Sequence, residues 1–166
     1  MAPREGPVSS IMTDLSDLLR PDAVLFDLSV LGKKPLFAQL ATALARQTGA
    51  RAKTIGDTLG EREKLGSTGF GGGIAIPHAK LDGLEQVTCV FARLAHPVEY
   101  GAVDGLPVDL VMALLSPPAA GAEHLKALAR VSRRLRDRPF LAKLRGAGSP
   151  DALYALFIED RARDAA

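Results

Sequence analysis

Ser67-Thr-Gly-Phe-Gly-Gly-Gly-Ile-Ala-Ile-Pro-His-Ala-Lys80 is the stretch on which the reading of this chain turns. Four glycines fall within five residues, at 69, 71, 72 and 73. Glycine reaches positive φ without a Cβ clash, so a sharply bent, closely packed loop is expected here. It runs into Ile74-Ala75-Ile76, an alternating apolar segment that reads as a short buried strand. The strand is expected to stop at Pro77, which fixes its own φ and has no N–H to give a sheet. His78 follows at once, at a strand end, on a stiff backbone, beside a glycine loop. That is a good place for a reactive imidazole and an odd place for a core one.

On either side of this stretch, helix and strand patterns are mixed. Asp14–Leu19 suggests a short helix that ends before Pro21, and Val24–Ser29 a first strand. Leu36, Phe37, Leu40, Ala41, Leu44 and Ala45 mark a helix over Lys33–Gln47, closed by Gly49. Ala52–Lys64 is a second, more polar helix. Gln86–Leu94 is a strand, followed by turns at His96-Pro97 and Gly101–Gly105 around a short segment, Val98–Tyr100. Val108–Leu115 is apolar except for Asp109, the pattern of a strand covered on both faces. Ser116-Pro-Pro118 breaks it, and a helix starts near Ala122 with an expected apolar stripe of Leu125, Leu128, Val131 and Leu135. Pro139-Phe140 begins a short helix with Phe140, Leu141 and Leu144 inward. Ser149-Pro150-Asp151 has the N-cap and first-turn proline of another, with Leu153, Leu156 and Phe157 buried. The fold expected is α/β, a central sheet flanked by helices on both faces. One domain spans residues 13–160, between tails at 1–12 and 161–166.

Composition narrows the function. The 166 residues are 47% apolar and 24% charged, with a net charge of +2. A chain of this length can bury roughly 68–70% of its unfolded surface and needs no staples. Basic and acidic residues are interspersed, so no footprint for nucleic acid or a membrane surface stands out. The single cysteine, Cys89, excludes an internal disulfide and a cysteine-rich zinc site. It reads as a buried strand thiol. The N-terminus has no apolar core of a signal peptide, and no run approaches a membrane span. A cytoplasmic location is expected.

Among the candidate residues, Gly69-x-Gly71-Gly72-Gly73 lacks the G-x-G-x-x-G spacing and leads into a strand, where a dinucleotide site needs a helix N-terminus. Lys64-Leu-Gly-Ser-Thr68 lacks the order of a P-loop. His78, His96 and His124 show no His-x-x-His or His-x₃-His pair, so a metal site is not expected. His96 reads as an exposed loop residue. His124 falls in the first turn of a helix, where free N–H groups disfavour an imidazolium. A neutral imidazole beside free amides suits a phosphate, while from spacing alone a surface histidine in a first turn is the plainer reading. Arg62 ends a polar helix just before the glycine loop; its guanidinium suits a phosphoryl group, and a solvated Glu-Arg-Glu-Lys run is the plainer reading. Asp109 is either a satisfied buried carboxylate or a strand-edge residue.

Glu61–Lys80 as a whole closely resembles the active-site segment of the type-2 EIIA proteins of the phosphoenolpyruvate-dependent phosphotransferase system, and within them the nitrogen-regulatory branch, EIIA-Ntr. Glu123-His-Leu-Lys-Ala-Leu-Ala-Arg130 is similar to that family's second histidine segment, and the resemblance spans roughly Leu15 to Phe157. One departure is Gly72, where the family often has Asn. The resemblance implies a mixed sheet flanked by helices. It also implies a phosphoryl carrier in which His78 is phosphorylated on Nε2, His124 is its neighbour in the pocket and Arg62 contacts the phosphoryl group. The partner implied is an HPr- or NPr-like phosphocarrier, charged ultimately from phosphoenolpyruvate. No cofactor and no metal are implied. With no EIIB, EIIC or HPr segment read in the chain, the output implied is regulation of target proteins by phosphorylation state. The alternative is a sugar-transport EIIA of fructose or mannitol type that passes the group to an EIIB.

Overall fold

The computed structural model describes residues 15–158. The expected tails at 1–12 and 161–166, and residue 14 of the first expected helix, lie outside the described residues. The elements are β1 (Val24–Leu28), α1 (Lys33–Thr48), α2 (Ala52–Lys64), β2 (Gly69–Gly71), β3 (Ile74–Ala75), β4 (His78–Lys80), β5 (Thr88–Val98), β6 (Val108–Ser116), α3 (Gly121–Arg134), α4 (Arg138–Gly146) and α5 (Pro150–Ile158). One mixed sheet runs β1-β5-β6-β3-β2, with β4 also on β6. β1 lies parallel to β5, and β5 antiparallel to β6. β3 and β4 run parallel to β6, and β2 returns antiparallel to β3.

The centre of the sheet is dry. Cys89 to Leu94 on β5 and Leu110 to Ser116 on β6 are buried at every position. Successive strand residues face opposite sides, so an unbroken buried run requires cover on both. Phe91 packs edge-on to Phe157 of α5, which meets Phe140 of α4 in the same way. α1 packs on β5 and on α2. The α/β sandwich expected from the sequence is the fold observed.

Local chemistry accounts for the ends of the helices. Gly49 closes α1 in the left-handed region, φ 78°, and its N–H returns to Ala45 O. Asp137 caps α4 by accepting from the Phe140 amide, and Ser149 accepts from Ala152 at the start of α5. On α2 the buried residues are Ile55, Leu59 and Glu63, one every four positions. A carboxylate thus occupies the third place of an apolar stripe.

Four local expectations are corrected. The described part of the helix expected over 14–19, Leu15 to Leu19, makes a single turn, with Leu18 and Leu19 amides both on Leu15 O. One turn cannot repay helix nucleation, and its outer backbone groups bond to other elements instead: Leu15 N to Phe157 O, and Leu18 O from Cys89 N. The strand expected over 86–94 starts at Thr88 and continues through His96 and Pro97 to Val98, where a turn and the start of a separate segment were expected, while the turn expected over Gly101–Gly105 is observed. The register shifts between Arg93 and Val98. Pro97 sits in that irregular stretch, where its missing N–H is tolerated. His96 is exposed, on a strand rather than in a loop. On α3 the inward stripe is His124, Ala127, Val131 and Arg134, while Leu125 is 67% exposed. The expected stripe was one position out at its start, because α3 turns its histidine inward in place of the leucine beside it.

The fourth correction concerns the organising stretch. The glycines make the sharp, closely packed bend expected of them, as the turn of a β2–β3 hairpin with Gly71, Gly72 and Gly73 at φ 110°, 69° and 84°. The strand does stop before Pro77, as expected, but His78 is not left at that strand's end, because pairing with β6 resumes beyond the proline. Ile74 faces Leu110 and His78 faces Leu114, an offset of 36 residues in both cases. The chain therefore passes Pro77 without losing register, and His78 opens β4. The Pro77 carbonyl accepts from Leu114 N, so only its absent N–H breaks the ladder.

Candidate phosphoryl-transfer site

His78 and His124 meet across the edge formed by β4 and β6. Their ring centroids are 5.9 Å apart, with planes inclined at 50°. The topology brings them together directly. β4 lies on β6, and the end of β6 at Ser116 leads through a short 3-10 turn, Pro118–Ala120, into α3. His124 is thus returned to the sheet edge it left eight residues earlier. It is 8% exposed, while His78 is half-buried.

The tautomer of His78 follows from its partner. Its Nδ1 lies 2.8 Å from Ile76 O. A carbonyl oxygen only accepts, so Nδ1 carries the proton and the Nε2 lone pair is left bare. Burial holds the imidazole below the ordinary histidine range. The Ile76 carbonyl works against this, the charge of Arg62 adds to it, and Glu63 acts in the opposite sense. His124 is also held below that range, by burial first and then by the charges of His78 and Lys80. Both rings are therefore neutral at neutral pH.

Arg62 lies at the end of α2, and its Nη1 donates to Gly66 O at 3.0 Å. The link across one turn folds the guanidinium back over the entry to the glycine hairpin. Its charge reaches the His78 ring. The three residues singled out in the sequence, His78, His124 and Arg62, are thus neighbours in electrostatic terms, and the two histidines in direct ring contact.

The support beneath them was missed in the reading of the sequence. Glu63 reads as one member of a solvated charge run, yet it is 9% exposed. Its carboxylate accepts from the Thr68 amide at 3.0 Å and from the Thr68 hydroxyl at 2.6 Å, and pairs with Lys33 at 2.8 Å. Burial opposes its charge, but the Lys33 and Thr68 donors outweigh it and hold the carboxyl below its ordinary range. Thr68 Oγ1 also meets the Tyr100 hydroxyl at 2.8 Å, and Lys33 Nζ reaches Tyr100 O at 2.9 Å. From Thr68 the bonds continue: Thr68 O accepts from Ile76 N, and Ile76 O accepts from His78 Nδ1. A hydrogen-bonded chain therefore runs from the Lys33–Glu63 pair to the imidazole. The four-residue spacing Ile55-Leu59-Glu63 was the signal that could have revealed Glu63 as buried.

The hairpin is held from its other side. Asp109 pairs with Arg145 through Nε and Nη2 at 2.9 and 2.8 Å, and Arg145 Nη2 also donates to Gly72 O. Asp104 accepts from the Gly72 amide at 2.9 Å. Asp109 is therefore a half-buried carboxylate satisfied by a guanidinium. A Cβ on Gly73 would stand 2.7 Å from Arg145 Nη2 and 2.8 Å from Asp109 Oδ1. Cys89 lies apart, fully buried, with burial pushing its thiol up to about 12. Among the described residues no group of three or more His, Cys, Asp or Glu side chains converges to hold a metal. No helix there is long and apolar enough to cross a membrane.

The sequence matches the family described as "Phosphoenolpyruvate-dependent sugar phosphotransferase system, EIIA 2" over residues 17–160. It is 46% identical over 142 residues to a nitrogen regulatory protein of Bradyrhizobium diazoefficiens, covering 86% of this chain and 93% of the relative. A nitrogen regulatory protein of Pseudomonas aeruginosa is 40% identical over 149 residues, covering 89% and 97%. The crystal structure of the nitrogen regulatory protein IIA-Ntr from Neisseria meningitidis superposes with a TM-score of 0.82 at 34% identity, over 86% of this chain and 98% of that one. The chain belongs to the type-2 EIIA family of the phosphotransferase system, and its relatives in that family include nitrogen regulatory proteins.

Proposed function

We propose that this protein is the phosphoryl carrier of a nitrogen-related phosphotransferase system. It takes a phosphoryl group on His78 from an HPr- or NPr-like phosphocarrier and regulates partner proteins according to whether that group is present. The observation that carries this reading is the bare Nε2 of a neutral His78, fixed by the Ile76 carbonyl, in a ring that lies 5.9 Å from that of His124. Similarity to nitrogen regulatory proteins over most of their length favours the regulatory output over a sugar-specific one.

In the step proposed, the Nε2 lone pair of His78 forms the new N–P bond. The N–P bond of the donor phosphohistidine breaks, and its electron pair returns to the donor ring. His78 keeps its Nδ1 proton on Ile76 O, so the positive charge that develops on the ring lies against a carbonyl dipole. His124 and Arg62 face the charge spread over the equatorial phosphoryl oxygens, and their work is positioning and electrostatics. No ATP and no metal enter this step. Once phosphorylated, the site carries about −1.5 to −2 by analogy with a phosphate monoester. That is enough to recruit one partner surface or repel another.

The test is incubation with enzyme I, the small carrier and phosphoenolpyruvate, followed by mass spectrometry of the intact chain and its peptides. One acid-labile, base-stable phosphate on the peptide containing His78 is expected. Phosphate on another residue, or none, overturns the reading. Efficient discharge to a sugar-specific EIIB would move the output to sugar transport.

A further inference from the structure

Ser116 ends β6, is fully buried, and places its Oγ 2.5 Å from His124 Nδ1. Its backbone is committed elsewhere: Ser116 O accepts from Leu81 N, and the residue lies opposite Lys80 in the β4 register. We propose that Ser116 is a positioning residue that fixes His124 as the Nε2–H tautomer, the opposite of the tautomer that Ile76 imposes on His78. The consequence for transfer rests on the phosphoryl-carrier reading; the tautomer itself does not.

A hydroxyl has one proton to give and two lone pairs to receive. Among the described residues His124 Nδ1 is the only hydrogen-bond partner of the Ser116 hydroxyl. If Nδ1 carried the proton, the hydroxyl would accept and its own hydrogen would be buried with nothing to bond. If the hydroxyl donates, that hydrogen is satisfied and only acceptor capacity goes unused. A buried orphan donor is the rarer and costlier defect. The serine therefore donates, Nδ1 is bare, and a neutral ring carries its proton on Nε2.

The two rings then have complementary roles, set by the chemistry of one oxygen each. A carbonyl behind His78 makes its outer nitrogen a lone pair, which can attack phosphorus. A hydroxyl behind His124 makes its outer nitrogen an N–H, which can donate to a phosphoryl oxygen. Two bare nitrogens would repel the incoming group at His124.

Long-range 1H–15N correlation of the imidazoles in the unphosphorylated full chain, at a pH where both rings are neutral, tests the assignment. His78 is expected as the Nδ1–H form and His124 as the Nε2–H form. A His124 signal with Nδ1 protonated overturns the proposal. In Ser116→Ala the tautomers of His124 should mix, and transfer to His78 should slow roughly two- to tenfold, the worth of one neutral hydrogen bond. A folded Ser116→Ala protein that transfers at the wild-type rate also overturns it. If Ser116→Ala does not fold, the wild-type spectrum still decides. Absence of phosphate on wild-type His78 would instead sink the carrier reading, whatever tautomers the spectrum shows.

Discussion

His78 and His124 stand in ring contact, but the protein holds them by different means. His78 is tied to a main-chain carbonyl two residues back, within a hairpin-and-strand segment contiguous in sequence. His124 is tied to a side chain eight residues back, across the turn from β6 to α3. The difference matters for what can be changed. No substitution removes the Ile76 carbonyl, so the tautomer of His78 does not depend on any neighbouring side chain as a partner. It can be disturbed only through the backbone geometry that aims the carbonyl. The tautomer of His124, by contrast, depends on one hydroxyl. The ring proposed to accept phosphorus is locked by the chain itself, and the ring proposed to assist it is set by a side chain.

The largest effect should come from the nucleophile. His78→Ala is expected to abolish phosphorylation by the charged carrier while leaving the melting temperature close to wild type, since His78 is half-buried at the start of a three-residue strand. Acid-labile phosphate retained on that variant would show that the carbonyl-locked ring is not the acceptor, and the contrast between the two histidines would lose its meaning.

Next is the backbone lock. Glu63→Ala removes the acceptor for the Thr68 amide and hydroxyl and leaves Lys33 without its carboxylate. Orphaning buried donors costs about 2 kcal/mol, and Lys33 is exposed enough to recover some hydration. For a chain of this size that lowers the melting temperature by roughly 4–8 °C. Transfer should slow as well, because Thr68 O aims Ile76, and Ile76 O aims His78. The folded pKa of Glu63 is depressed, so the unfolded chain binds more protons and stability rises with pH through the carboxylate range. That acid-range loss should shrink in Glu63→Ala. The two histidines, also depressed, give a loss of the same sign as pH falls below 6.5, and it should remain. A variant that melts like wild type and transfers normally would break the chain proposed between Lys33 and His78.

Arg62→Ala separates charge from geometry. The guanidinium should stabilise the transferring group, and in a site this open its loss is expected to cost about tenfold in rate, ~1.4 kcal/mol. It also disfavours protonation of His78. The rate of wild-type phosphorylation should therefore hold down to below pH 6.5 and fall where His78 charges. In Arg62→Ala that midpoint should move upward. An unchanged midpoint with a reduced plateau would mean that Arg62 acts on the donor protein rather than on the ring.

How much of this could be read from residues alone follows the same division. The sandwich was legible because α1, β5 and β6 carry strong periodic or continuous apolar patterns, which tertiary contacts do not override. His78 was legible because its determinants are contiguous: glycines, an alternating apolar run and a proline, each with a fixed backbone consequence. His124 was not separable from a surface histidine, since its burial depends on which face of α3 meets β6, and Leu125 beside it is the more apolar residue. Glu63 was misread for a related reason. Charge runs are solvated on most helices, and the buried identity of Glu63 comes from Lys33 and Thr68, which lie 30 residues before it and 5 after it. The resumption of pairing with β6 beyond Pro77 was illegible because a proline forbids only a donor, and β6 asks residue 77 for an acceptor.

The smallest expected effect is at Gly72, where this chain departs from the residue that resembling proteins often carry. Gly71, Gly72 and Gly73 all have positive φ, but they are not equivalent. A Cβ on Gly73 would lie 2.7 Å from the guanidinium of Arg145, and one on Gly71 3.1 Å from Asp104 Oδ2. A Cβ on Gly72 meets nothing within 4 Å, and its φ of 69° falls in the left-handed region that Asn enters more readily than other side chains. Gly72→Asn keeps the amide that Asp104 accepts from and the carbonyl that Arg145 donates to. It also restricts the unfolded chain, which offsets residual strain. Stability within about 0.5 kcal/mol of wild type and an unchanged transfer rate are expected, by thermal melting and by the phosphorylation assay. Gly73→Ala, one residue on, should cost about 1–3 kcal/mol, because it strains the backbone and pushes apart the Arg145–Asp109 pair. If Gly72→Asn proved as damaging as Gly73→Ala, the hairpin would be held by the flexibility of all three glycines and not by the Arg145–Asp109 pair and the Asp104 carboxylate on its flank. The rigid backbone lock on His78 would then need another source.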